Sequence, residues 1–289
     1  MKRANVTFGP APWLQRSWDG RAAGNFIGGG MGSGLIAFTA ASAIGGAPTL
    51  LHRALLLAGI VLVALGLLSV WLEIGRPWRA LHVYFHPRRS WMTREAFVAP
   101  PLMAAAAAAA LGARVALPLA ALLALGYLYC QGRILQAAKG IPAWREPIVV
   151  PLIVASGLAE GAGIFWLATA PSHEAGGVPW LAFGALLVLR VAGLGIWQRR
   201  LAARLRGQAL AAAAAAGRAC QIGTVLALVL LIGAWVAPGP AGWVVALQAL
   251  AGALAAGAGV AFKWTLVTRA AYNQGFAIAH LPVRGVPRS

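Results

Sequence analysis

The sequence is poor in charged residues, in acidic residues above all, and in cysteine. Only 6 of its 289 residues are Asp or Glu, against 24 Lys and Arg, and charged residues of both signs amount to 10%. Soluble domains carry about 25% charged residues, so this composition excludes an ordinary soluble protein. The two cysteines, Cys130 and Cys220, lie in apolar stretches far from any histidine, which supports neither a disulfide framework nor a Cys/His metal site.

Histidine is also scarce inside the apolar stretches. A bis-histidine haem needs two imidazoles that face each other within a helix bundle. All five histidines instead fall in predicted loops or at predicted helix ends, so we expect no haem. His82 and His86 are four residues apart, but Pro87 follows them directly and no third ligand is near, so we expect a surface pair and no bound metal. The histidines are His52, His82, His86, His173 and His280.

Long hydrophobic runs, by contrast, fill the chain. Hydrophobic residues make up 60% of it and the mean hydropathy is +0.76. A run of about 18 apolar residues is long enough to cross a bilayer as a helix. The sequence therefore predicts an all-α, polytopic membrane protein, with residues 1–289 forming one domain of eight transmembrane helices. The predicted helices cover about 24–45, 51–73, 94–112, 114–135, 147–170, 179–198, 217–237 and 242–268.

Basic residues are distributed unevenly between the two ends of these helices. Lys and Arg gather in the N-terminal tail, after helices 2, 4 and 6, and in the C-terminal region, whereas the other connections hold only Arg53 and Arg114. Short cytoplasmic loops carry an excess of Lys and Arg, so we expect both termini to lie in the cytoplasm. The membrane is expected to be the bacterial inner membrane. The net charge of +18 is then explained by membrane lipid as a partner rather than by nucleic acid. The basic loop 199–206 is expected to face lipid or a partner protein.

One connection, Trp71 to Phe97, holds seven charged residues. Within it Glu73 closes predicted helix 2 and Glu95 opens helix 3, so two of the few carboxylates converge on one membrane edge among arginines. A quinol must release protons as its electrons leave, and a positioned carboxylate can accept them. We therefore predict Glu95 and Glu73 as the catalytic proton acceptors of a quinone site.

The same connection carries a resemblance to a known family. Residues 73–80 (EIGRPWRA) and 90–95 (SWMTRE) resemble the signature loop of the dimethyl sulfoxide reductase membrane-anchor family, and more distantly the polysulfide and nitrite reductase anchors. The eight-helix layout agrees with that family along the whole chain. The ending, residues 272–276 (YNQGF) and 282–285 (PVRG), is also similar to its members.

The resemblance implies an anchor subunit that holds no redox cofactor of its own. Such a subunit binds an iron–sulfur electron-transfer subunit and a molybdopterin catalytic subunit at the membrane, and it exchanges electrons with ubiquinone or menaquinone. Because the charge distribution places this connection in the cytoplasm, complexes of the kind that oxidise sulfite or phenylacetyl-CoA match better than a periplasmic dimethyl sulfoxide reductase.

Residues of this end are assigned expected roles on that basis. Candidate quinone-binding residues are Arg76, His82, Trp91, Arg94, Asn25 and Trp264. Candidate partner-docking residues are Arg79, His86, Arg88 and Arg89.

Two charges fall inside predicted membrane helices, Glu160 in helix 5 and Arg190 in helix 6. An unpaired charge at mid-bilayer costs at least ~2.5–3.5 kcal/mol, so we expect the two side chains to meet. They form either a structural ion pair or a proton relay. The alternative function, a proton-coupled transporter that uses Glu160 and Arg190, is favoured by one further feature, the Pro100-Pro101 break in helix 3.

Overall fold

The computed structural model is a helical bundle and describes residues 11–73, 77–172, 177–236 and 241–275. Within these residues eight long helices follow the eight predicted segments in order, which confirms the all-α fold class. In the described residues the only strand-like feature is an isolated bridge between Leu14 and Tyr272. The helices are α1 (Gly20–Ser42), α2 (Leu50–Glu73), α3 (Trp91–Ala110), α4 (Ala116–Ala137), α5 (Pro142–Arg145), α6 (Val149–Thr169), α7 (Gly177–Arg204), α8 (Gly207–Val236) and α9 (Ala241–Thr268), with a 3₁₀ helix at Pro77–Phe85.

Six of the helices in the described residues, α2, α4 and α6 to α9, are long and apolar enough to cross a membrane. The chain is therefore a multi-pass membrane protein. Helices α1 and α3 are not among these six: α1 is rich in glycine, and α3 contains Arg94, Glu95 and two prolines. The eight-span count stays a prediction.

The boundary between α7 and α8 differs from the prediction. Helix α7 continues to Arg204 and α8 begins at Gly207, so most of the expected loop 199–206 is helical. Alanine, leucine and arginine are strong helix formers, and they continue both helices beyond the apolar segments. The Arg206 guanidinium donates to the carbonyls of Ala202 and Leu205, which satisfies the free end of α7.

Several distant segments meet at one end of the bundle, which we call the basic end. It comprises residues 11–19, the α2–α3 connection, α5, the α7–α8 connection and residues 269–275. Arg21 Nη1 donates to the Leu72 carbonyl at 3.2 Å and Trp144 Nε1 donates to the Leu266 carbonyl at 2.9 Å. The buried carboxylate of Glu146 pairs with Arg204. These contacts hold the connections of the basic end together.

Helix α1 lies at the centre of the bundle and packs against α2, α4, α6 and α9. A Cβ atom at Gly32 would lie 2.5 Å from the Gly59 carbonyl of α2, and one at Gly34 would overlap the Gly157 carbonyl of α6. Only glycine permits this approach of backbones, since small residues let membrane helices pack closely. Gly29 and Gly30 differ, since they face polar side chains of α4 and α9 rather than backbone.

Candidate functional site at the basic end

A cavity of about 830 Å³ lies at the basic end, beneath the 3₁₀ helix. Its walls come from α1, α2 and α3, and most of the side chains that line it are apolar. Examples are Phe26 of α1, Leu67 of α2, Met103 of α3 and Tyr84 of the 3₁₀ helix. The cavity therefore has the size and character of a small-molecule site for an apolar ligand.

Among the side chains that line this cavity, Glu95 and Glu73 carry carboxyl groups and Asn25 carries an amide. Glu95 is 5% exposed and forms no ion pair with any described residue. Its Oε1 accepts a hydrogen bond from Asn25 Nδ2 at 3.3 Å, and the side chains of Tyr127 and Gln131 lie beside it. A buried carboxyl among neutral donors can gain or lose a proton with few other groups to move.

Asn25 is held in place from the opposite side. Gln131 Nε2 of α4 donates to the Asn25 backbone carbonyl at 2.9 Å, and both side chains are buried. Asn25 lies in the second turn of α1, so its side chain projects toward the start of α3 and meets Glu95. The sequence predicted Asn25 and Glu95 at one membrane edge, and the structure brings them into contact.

Glu73 is the last residue of α2, as predicted, and it is half-buried at the rim of the cavity. It lies near Asp19 and Arg21 at the start of α1. Asp19 and Arg21 form an exposed ion pair of 2.8 Å, and the hydrogen bonds from Arg21 hold the pKa of Asp19 below its ordinary value. Glu73 thus connects the cavity with the aqueous surface of the basic end.

The connection above the cavity is fixed by hydrogen bonds from the first turn of α3. Ser90 caps this helix by accepting from the Thr93 amide, and the Thr93 hydroxyl donates to the Val83 carbonyl of the 3₁₀ helix. Arg94 donates to the carbonyls of Pro87 and Arg88, at 2.9 and 3.0 Å. Pro87 and its neighbours are therefore held over the start of α3.

Several predicted quinone-binding residues lie away from the cavity. Arg94 and Arg133 stack on the Trp91 ring, at 4.0 and 4.5 Å from its centroid, on another face of α3. His82 is exposed and packs against Phe85. Trp91, Arg94 and His82 do not line the cavity that Glu95 faces, so the structure does not bring them together with that carboxyl. Their role in quinone binding stays a prediction.

Two more predicted positions have a different outcome. Trp264 of α9 is 42% exposed and packs against Gly20 rather than lining the cavity, so the structure does not bring it to Glu95. Arg76 lies outside the described residues. The predicted docking residues Arg79, His86, Arg88 and Arg89 are all exposed at the basic end.

The expected ion pair between Glu160 and Arg190 is wrong, because Glu160 pairs with a different residue. Lys263 Nζ of α9 lies 2.8 Å from Glu160 Oε2, and both side chains are fully buried. Arg190 instead donates to the Thr224 hydroxyl and the Ala255 carbonyl, at 2.9 and 2.8 Å. Lys263 was grouped with the basic residues of the C-terminal region, so its position inside the bundle was not predicted.

Other residues of the site were not predicted. Trp18, Phe26, Met92 and Met103 line the cavity, yet apolar side chains of this kind occur in every membrane helix, so the sequence offers no signal for them. Pro100 also lines the cavity, and α3 continues through Pro100 and Pro101 to Ala110, so the break expected in helix 3 is not observed. A metal site is a separate question: in the described part of the chain no three His, Cys, Asp or Glu side chains come together.

Comparison with known proteins identified no relative of the chain. No family model matches the chain, and no match is found among curated proteins.

Proposed function

We propose that the chain is the membrane-anchor and quinone-reactive subunit of a multisubunit molybdopterin and iron–sulfur oxidoreductase. The observation that carries the proposal is the buried Glu95 carboxyl in the wall of an apolar cavity, at the end of the bundle where basic residues collect. A quinone matches that wall, because its ring carries polar oxygens and its body and tail are apolar. The cavity is also large enough for a ring together with the start of a tail.

The chemistry requires a balance of electrons and protons. Oxidation of a quinol breaks two O–H bonds, and two electrons pass to the iron–sulfur cluster of the partner subunit. The two protons pass to carboxylates, one to Glu95 in the interior and one to Glu73 at the rim. Reduction of a quinone runs the same steps in reverse, and the same two residues then supply the protons.

A membrane-dissolved ligand has a route to this cavity between α2 and α3. Leu68 and Trp71 of α2 and Met92 of α3 line the cavity, and each is also 42–43% exposed on the outside of the bundle. A ring entering between these side chains reaches Glu95 while its tail remains in lipid. Ubiquinone and menaquinone both satisfy this requirement.

The partner proteins would dock on the basic end. Trp78 and Phe85 are 85% and 66% exposed, and Arg79, Arg88 and Arg89 are exposed in the same connection. Exposed aromatic and arginine side chains are typical of protein interfaces. In this proposal all eight long helices cross a bacterial inner membrane, both termini are cytoplasmic, and the iron–sulfur subunit covers the 3₁₀ helix.

The test is the turnover of quinone by the assembled complex carrying Glu95→Gln. Loss of the carboxyl removes a general acid–base group that contributes on the order of 100-fold or more, so we expect a fall in turnover of that size with assembly retained. Glu73→Gln, at the partly exposed rim, is expected to lower turnover less, because water can replace it. Full quinone turnover by Glu95→Gln would remove Glu95 from the reaction.

The second candidate, a proton-coupled transporter, is favoured by the buried charges of Glu160, Lys263 and Arg190. It is less well supported, because the 830 Å³ cavity is lined by neither Glu160 nor Arg190. Purification separates the two candidates: an anchor co-purifies with large iron-containing subunits, whereas a transporter does not.

A further inference from the structure

Buried polar side chains continue from the cavity into the bundle. Beyond Glu95 and Asn25 lie Tyr127 and Gln131 of α4, and then the Lys263–Glu160 ion pair. Every member is at most 5% exposed. We call these six residues the polar chain. Burying a polar or charged side chain within a membrane costs free energy, and close packing of the helices does not require these polar residues. Their presence therefore points to a function.

The step between Gln131 and Lys263 passes through a gap left by glycine. A Cβ atom at Gly30 of α1 would contact Lys263 Nζ and would lie 3.1 Å from Gln131 Oε1. These two atoms therefore face each other across the missing side chain. Gly29 makes the adjoining gap in the same way, since its Cβ would lie 2.6 Å from Gln131 Nε2 and 2.8 Å from the Tyr127 hydroxyl.

Several atoms along the polar chain have unused hydrogen-bonding capacity. The Tyr127 hydroxyl, Gln131 Oε1 and Glu160 Oε1 are buried and have no hydrogen-bond partner among the described residues. Buried polar atoms in folded proteins are nearly always satisfied, often by internal water. Proton transfer through bridging water requires free hydrogen-bond donors and acceptors between successive residues of the path, and these atoms supply them.

We propose that the polar chain is a proton-transfer path, in which the Lys263–Glu160 pair accepts protons from the cavity through Glu95 and returns them. The path rests on the proposed function, because quinone chemistry at Glu95 supplies and consumes the protons. In quinol oxidation an O–H proton moves to Glu95, then through the Tyr127 hydroxyl and water beside Gln131, and is bound at Glu160 Oε1. The two electrons leave separately to the partner's iron–sulfur cluster.

The depth of Glu160 in the bundle indicates what the path does. Glu95 is 5% exposed, and Ala80 and Val83 of the 3₁₀ helix line the cavity that it faces. Glu160 lies at the middle of α6, and the charged and titratable groups that face it or its partner are Lys263, Arg190 and Cys220. A proton store at this depth serves Glu95 while quinone occupies the mouth of the cavity.

The test uses Gly30→Ala in the complete complex in lipid vesicles. The added methyl group separates Gln131 Oε1 from Lys263 Nζ without removing a charge, and the end of the lysine side chain can move aside. The matched control is Gly257→Ala in α9, where an added Cβ meets nothing within 4 Å. A second variant, Glu160→Gln with Lys263→Gln, removes both charges and leaves neither unpaired.

Two quantities are measured: the affinity for a fluorescent alkyl-hydroxyquinoline N-oxide, a quinone analogue, and quinone turnover in H₂O and in D₂O. We expect Gly30→Ala and the double variant to bind the analogue normally, with turnover lowered roughly tenfold and the solvent isotope effect increased. Normal turnover and isotope effect with normal binding would overturn the path but leave the quinone site standing. Failure of the unaltered complex to bind the analogue would overturn both.

Discussion

At the scale of single residues, the contacts of Lys263 and Arg190 differ because their side chains differ. Lysine carries one compact ammonium on a flexible stem, so Lys263 reaches from the last turns of α9 to Glu160. The planar guanidinium of Arg190 needs several acceptors in fixed directions, and it finds two in Thr224 and the Ala255 carbonyl. The cost of an unpaired charge predicted Glu160 and Arg190 as neighbours, but that cost does not determine which partner each side chain meets.

Replacement of Lys263 tests how much the ion pair contributes to stability. Lys263→Met leaves the Glu160 carboxylate buried without its cation, which typically costs about 3–5 kcal/mol. We expect a clearly lower melting temperature for the detergent-solubilised protein. Adding Glu160→Leu to Lys263→Met removes the unpaired charge and should restore most of that loss. A single variant as stable as the unaltered protein would contradict this account of the pair.

At the scale of helices, the position of α1 depends on glycines that face the backbones of α2 and α6. Gly161 of α6 shows the constraint most clearly, since its Cβ would overlap the carbonyl carbon of Gly34 and the amide nitrogen of Leu35. Neither backbone atom can move unless the whole helix moves. The separation of α1 from α6 therefore allows no methyl group at this position.

Gly161→Ala is expected to force α1 and α6 apart and to destabilise the bundle by about 1–3 kcal/mol or more. Gly195→Ala in α7 is its control, because an added Cβ there meets nothing within 4 Å and alanine is the better helix former. Thermal unfolding of the two variants in one detergent gives the comparison. Equal stability of the two variants would show that α1 tolerates displacement.

The helix ends that frame the cavity were predictable, and its walls were not. Charged residues and prolines between two apolar runs placed Glu73 at the end of α2 and Glu95 near the start of α3. The 3₁₀ helix was missed, since residues 77–85 lie in a charged connection between two apolar runs that the sequence predicts as a loop. Phe26 and Met103 were missed for another reason: a single sequence gives the order of helices along the chain but not which helices are neighbours.

At the scale of the whole molecule, charge and polarity are concentrated at one end. Most basic residues, the cavity and the start of the polar chain lie at the basic end, whereas Arg53 and Arg114 are the only Lys or Arg residues of the opposite connections. The uneven distribution was predictable, because basic residues can be counted between apolar segments. The cavity beneath them depends on the packing of α1, α2 and α3, which composition does not specify.

Photolabelling with an azido-quinone that carries a long isoprenoid tail tests the central claim most directly. The label would be applied to membranes that contain the complete complex, with unlabelled quinone as competitor and peptide mapping as the readout. We expect saturable labelling of peptides that contain residues 18–26 or 80–103, reduced by competitor. Saturable labelling confined to the α6–α7 region around Glu160 and Arg190, or labelling that competitor does not reduce, would contradict a quinone site at Glu95.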